Sequence, residues 1–264
     1  MRHPISKLSN TPLVLAALAG LLLPAGLLAQ RGGRGGPPPP AKAAAPIDLT
    51  GYWVSVITED WRYRMVTPAP GDYQSVPMNA EARRVAETWD PAKDEAAGDQ
   101  CKSYGAAAIW RLPERIHITW QDDQTLKAEV DAGTQTRLFH FGAWTAPAGP
   151  PTWQGDSVAL WETRGAGRGG FGGPGGPPRS GSLKVTTTHM RAGYLRKNGV
   201  PYSEDANLTE YYDLVKERDG SQWMVVTIVV TDPKYLTQPF VISSQFKKQP
   251  DATGWDPTAC SSRW

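Results

Sequence analysis

Residues 115–141 read RIHITWQDDQTLKAEVDAGTQTRLFHF, and their alternation decides the fold class. Ile116, Ile118 and Trp120 point one way and Arg115, His117 and Thr119 the other, the period of two that an extended strand gives. Asp122-Asp123 turns the chain. Leu126, Ala128 and Val130 then alternate against Lys127, Glu129 and Asp131, and Ala132-Gly133 turns it again. In the third run Phe139 and Phe141 share one face while Leu138 and His140 share the other. Three strands joined by short turns make a meander.

The same signals extend outward from this segment. Runs 51–58, 182–190, 208–216, 222–231 and 240–247 are rich in β-branched and aromatic residues, and Trp161-Glu162 lies in a further strand. Run 223–230 is apolar on both faces and is expected to be covered on both. One helical interval stands apart. Asn79 is placed to cap a stripe of Ala82, Val85, Ala86 and Trp89, and Asp90-Pro91 opens a second short turn that Gly98 ends. About nine or ten strands with short turns predict an all-β fold with a short helical excursion. The expected architecture is a single β-barrel-like or sandwich domain.

The amino terminus predicts export. Arg2 and Lys7 precede an apolar run of about 11 residues, broken by Pro24 and Gly26 ahead of Ala29, which is the layout of a signal peptide over 1–29. That run is too short to span a bilayer, which needs roughly 20 residues, so no stable membrane insertion is expected. The mature protein is expected to be soluble and either periplasmic or extracellular. Residues 30–46 are Gly-, Pro- and Ala-rich and read as a disordered spacer; a similar run at 164–181 (RGAGRGGFGGPGGPPRSG) reads as a disordered insertion in a domain covering 47–264. Arg2, Lys7, Arg31, Arg34 and Lys42 all precede the first acid, Asp48. The pI of 8.5 therefore belongs to these appendages and gives no ground for a nucleic-acid partner. Cys101 and Cys260 are the only cysteines, and in an oxidising compartment they are expected to pair.

Candidate functional residues come from charge and aromatic character out of place. Arg137, Glu162 and Glu210 are charges within otherwise apolar or aromatic strands, so any that points inward needs a partner, and Arg137 is the available cation. His140, with Glu162 or Glu210, is the candidate catalytic set. Trp144 and Trp153 sit in Pro- and Gly-rich connections, where a ring is free to face a ligand; Trp161 and Tyr211 lie beside the two glutamates and complete the candidate ligand-binding residues. Trp53, Trp120, Trp161 and Trp223 lie among aliphatic strand residues and are also expected to pack the core. His117, His140 and His189 fall on separate strands, which argues against a metal, and no motif implies a cofactor.

Three stretches carry a resemblance. Pro151-Thr152-Trp153-Gln154-Gly155-Asp156-Ser157-Val158 with Trp161-Glu162, Leu208-Thr209-Glu210-Tyr211, and Asp232-Pro233-Lys234-Tyr235-Leu236-Thr237-Gln238-Pro239-Phe240 resemble a pattern in a broad group of uncharacterised exported bacterial proteins. The resemblance implies a secreted β-rich domain. Gly51-Tyr52-Trp53 is also similar to the opening G-x-W of the lipocalin and calycin barrels, which implies a tryptophan closing one barrel end and, by analogy, a small-ligand function. Three functions follow as expectations: binding of a small organic ligand in the barrel, hydrolase or lyase chemistry at His140, or a structural or interaction role in the cell envelope. An apolar cavity would mark the first. Convergence of His140, Arg137 and a carboxylate would mark the second, and a filled barrel the third.

Overall fold

Nine strands close into a barrel in the computed structural model, which describes residues 38–163 and 180–263. The expected signal segment, the first part of the spacer and nearly all of the Gly-rich insertion lie outside these residues. Pro39–Trp264 is one unit. The strands are β1 (Gly51–Val56), β2 (Arg115–Trp120), β3 (Thr125–Val130), β4 (Gln135–Phe141), β5 (Asp156–Thr163), β6 (Gly181–Thr188), β7 (Gly193–Arg196), β8 (Val200–Tyr202), β9 (Asn207–Lys216), β10 (Gln222–Thr231) and β11 (Phe240–Gln249). Around the barrel they run β1-β11-β10-β9-β6-β5-β4-β3-β2, with β1 hydrogen-bonded back to β2. β7 and β8 form a separate hairpin that the polar Arg-Lys-Asn-Gly run at its turn conceals in the sequence.

The meander forms as its alternation predicts. Ile116, Ile118, Leu126, Ala128 and Val130 are buried on the inner face. Gly133 makes the second turn at φ +75°, and a side chain there would collide with the Tyr104 ring. β10 departs from expectation. Met224, Val226, Ile228 and Val230 are buried, whereas the alternate residues Trp223, Val225, Thr227 and Val229 are only half-covered, so the strand has one core face. Trp223 accordingly lies outside, with Lys247 over its ring, and is not a core residue. Trp53 is fully buried; its indole nitrogen donates to the Leu49 carbonyl at 2.9 Å.

One junction breaks the antiparallel pattern. β4 and β5 pair in parallel over only Phe139–Ser157, His140–Val158 and Phe141–Ala159. Parallel neighbours need a crossing connection, here residues 142–155. A nine-stranded ring with this junction differs from an eight-stranded up-and-down barrel.

Four short helices are among the described residues. These are α1 (Ala41–Ala44), α2 (Trp61–Arg64), α3 (Ala80–Ala86) and α4 (Pro91–Ala96). Asn79 Oδ1 accepts from the Ala82 amide and Asp90 Oδ1 from the Ala92 amide, the two caps the sequence announces. α1 corrects the expected spacer. Ala41 is buried, its carbonyl accepts from the Trp161 indole at 2.8 Å, and the Lys42 amide donates to the Asp123 carbonyl. Small alanine side chains let this end of the tail lie flat on the wall and satisfy a tryptophan there.

Past α4 the chain enters the barrel end as two 3₁₀ turns, Lys102–Tyr104 and Ile109–Arg111, which carry the buried Trp110. The carboxy-terminal tail is tied to this plug. Cys101 and Cys260 are bonded, the Ser261 amide donates to Tyr104 Oη, and the Thr258 amide donates to the Asp131 carbonyl. A closed loop of about 160 residues sets the entropic ceiling of this bond near ~5 kcal/mol. At ~2–4 °C per kcal/mol for a domain of this size, reduction is expected to lower the melting temperature by up to about 10–20 °C. Scanning calorimetry with and without reductant checks this; an unchanged transition would mean that the plug holds without the tail.

Candidate functional site

The alternation of β4 sorts the candidate residues into different places. Arg137, Phe139 and Phe141 point inward; Leu138 and His140 point outward. Arg137 and Glu210 are therefore on the opposite side of the wall from His140, while Glu162 shares the outer face with it, four residues along β5 from the Val158 that pairs with His140.

Inside the barrel Arg137 meets Glu210 of β9. Arg137 Nη1 and Nη2 donate to Glu210 Oε1 and Oε2 at 2.7 and 2.8 Å, and neither side chain is exposed at all. The fork geometry satisfies both carboxylate oxygens at once. Arg137 Nη2 also donates to Thr187 Oγ1 at 3.2 Å, and Thr187 bonds Ser157 Oγ at 2.8 Å. The Trp110 indole nitrogen donates to Glu210 Oε1 and, at 2.9 Å, to Tyr212 Oη. Aromatic faces close the cage: the guanidinium lies 5.2 Å from the Trp110 centroid and 5.0 Å from that of Phe139. Burial works against the Arg137 charge, but facing Glu210 more than offsets it and raises the guanidinium above its ordinary value. Burial, with the Glu210 charge beside it, keeps Tyr212 protonated. Trp110, Phe139, Tyr212 and Phe246, each under 2% exposed, pack on one another around the pair.

Glu162 and Tyr211 lie on the outer face. The Glu162 side chain is 43% exposed and 3.9 Å from Lys184, so Arg137 is not its partner. With Tyr211, Asp213 and Thr227 it lines a polar surface groove of about 770 Å³. Trp161 turns inward, packs on Phe141 at 5.2 Å between centroids, and is half-buried core rather than a ligand-facing ring.

His140, Trp144 and Trp153 come together. Because the parallel ladder of β4 and β5 is so short, the crossing loop folds back over the outer face of β4. Trp144 lies flat on the His140 imidazole, centroids 4.1 Å apart and planes within 3°. Trp153 stands across the groove with the Arg191 guanidinium 4.3 Å from its ring centroid. Leu138, Pro147, Thr152 and Asp156 are among the other residues that line this groove of about 420 Å³. Gln154 anchors the loop by donating to the Tyr104 carbonyl at 2.8 Å and to Gln135 Oε1 at 2.9 Å. Partial burial lowers the His140 pKa below 6.5, against the pull of Asp122 and Asp156, so the ring is neutral at neutral pH.

Asp156 and His189 figure separately in the sequence reading, and their meeting escapes it. Asp156 Oδ2 and His189 Nδ1 are 2.8 Å apart at the end of the β5–β6 hairpin, with His189 at φ +55°. Pairing 156–163 against 181–188 across the insertion would have placed them together. Among the described residues no group of three or more His, Cys, Asp or Glu is arranged to hold a metal ion. No protein-family model matches this chain, and no curated protein matches it in sequence.

The two glutamates are expected to respond oppositely to the same change. Glu210→Gln leaves the Arg137 charge buried without its counter-ion and is expected to cost ~3–5 kcal/mol. Glu162→Gln, at an exposed site, is expected to stay within about 0.5 kcal/mol of wild type. Urea unfolding of both variants checks this, and equal stability for the two would overturn the placement of Glu210.

Proposed function

We propose that this is an exported binding protein that takes a small, ring-shaped organic ligand in the groove over β4 and β5. The observation that carries this reading is the Trp144–His140 stack facing Trp153 across a solvent-open groove. A volume of about 420 Å³ falls within the ordinary range for small-ligand sites, roughly 300–1,000 Å³. Aromatic faces suit flat rings or the apolar face of a sugar, and Asp156 and Thr152 offer polar partners for its edge. The barrel interior gives less support to the same function, since the Arg137–Glu210 pair and its aromatic cage occupy it. Export is supported by the signal-like amino terminus and by the disulfide. The filled interior also favours a second reading, an envelope protein that works through its outer wall.

Isothermal titration of the mature protein with a panel of neutral oligosaccharides and aromatic acids tests the proposal. At least one member is expected to bind, and Trp144→Ala is expected to weaken it about tenfold, since an aromatic contact contributes ~0.5–1.5 kcal/mol beyond the area it buries. Trp223→Ala, on the opposite part of the wall, is expected to leave affinity unchanged. Binding that is indifferent to Trp144 and Trp153 would contradict this location, and a panel without a binder would favour the envelope reading.

A further inference from the structure

Outside the barrel, α2, the 3₁₀ turn Ile109–Arg111 and the end of β7 bring three arginines and a lysine to one small cavity: Arg64, Arg111, Arg196 and Lys197. All four residues are buried, at 1, 4, 2 and 4% exposure. Burial lowers Lys197 to about 6, against the pull of Glu114, so the lysine is neutral at pH 7, and the three guanidiniums are the positive charge that needs compensation.

The carboxylates nearby supply only part of it. Glu59 bonds Arg64, and Asp60 bonds Arg111 at 3.3 Å; both acids are one-third exposed. Asp72 is engaged by Arg62. Glu114 faces Arg64 and Lys197, but burial, with Asp131 beside it, pushes its carboxyl well above the usual range and so toward the neutral form. Among the described residues Arg196 has no carboxylate within bonding distance. Its Nη2 donates to Ser75 Oγ at 3.0 Å and its guanidinium lies 4.1 Å from the Tyr63 ring centroid. Its Nε and Nη1 are buried with no hydrogen-bond partner. Burial, together with Arg196 and Arg64 close by, pulls Arg111 down to about 10, as expected of guanidiniums crowded without enough counter-charge.

We propose that this cavity is a binding site for a small, singly charged anion of chloride size, held by Arg196 and Arg111. The accessible space of about 10 Å³ admits one water-sized group and no polyatomic ligand without rearrangement. A water could fill that volume, but it supplies no charge to the three guanidiniums around it. The anion satisfies the free Arg196 donors and offsets the guanidinium repulsion in one step. The site shares no residue with the groove over β4 and β5, so it stands whatever binds there.

Thermal melts of the full mature protein at constant ionic strength test this, with sodium gluconate replaced stepwise by sodium chloride. Wild type is expected to gain about 3–6 °C for each tenfold rise in chloride above its Kd, because an anion bound only by the folded state stabilises by mass action. Arg196→Gln is expected to abolish that dependence. Should this variant fail to fold, wild-type crystals grown in bromide keep the test open, with an anomalous peak expected between Arg196 and Arg111. Melts that are identical in chloride and gluconate, with no bromide peak, would show a water-filled cavity and overturn the proposal. A chloride dependence of equal size in Arg196→Gln would also overturn it, as a general salt effect.

Discussion

The bidentate contact between Arg137 and Glu210 is the constraint on which the barrel interior depends. Two full charges with no exposure survive only when most of their polar atoms find partners. Thr187 of β6 and Trp110 of the plug bond the pair directly, Ser157 of β5 and Tyr212 of β9 bond those two in turn, and Arg137 Nε has no hydrogen-bond partner among the described residues. The pair therefore does more than join β4 to β9 across the barrel. It sets where the plug must sit, because the Trp110 indole nitrogen serves both Glu210 and Tyr212. The disulfide and the carboxy-terminal tail then hold the base of that plug against Tyr104.

Placing this network inside moves binding chemistry to the outer wall. The parallel junction of β4 and β5 is the one place where the sheet needs a long crossing loop, and that loop brings Trp144 and Trp153 to His140. Ser157 belongs to both regions: its hydroxyl ends the chain of hydrogen bonds from Arg137, and the residue lines the outer groove. A ligand stacked in the groove would thus rest on a wall stiffened from within by the ion pair.

Much of the fold was legible because period-two alternation survives wherever one strand face is wet. The meander, the Asn79 and Asp90 caps and the cysteine pair all follow from local rules. Alternation tells which residues share a face, but it does not say which face is inside when both carry apolar side chains. Glu210 shares its face with Leu208 and Tyr212, which are buried; Glu162 shares its face with Val158 and Leu160, which are exposed on the outer wall. The two glutamates looked alike for that reason. The β4–β5 junction was hidden for another: its loop is rich in Pro and Gly and has no period. Arg196 and Lys197 looked like an ordinary wet turn, and only the packing of α2 and the 3₁₀ turn over them reveals a buried cationic cluster.

A double-mutant cycle on Arg137 and Glu210 tests the central claim most directly. Arg137→Met and Glu210→Leu each leave one buried charge unpaired, while the double variant replaces the pair with apolar side chains in the same cage. Denaturant unfolding is predicted to show a loss of several kcal/mol in each single variant and recovery of most of it in the double, a coupling of about 3 kcal/mol. Losses that simply add in the double variant would contradict the account, because they would mean that the two charges do not depend on each other inside the barrel.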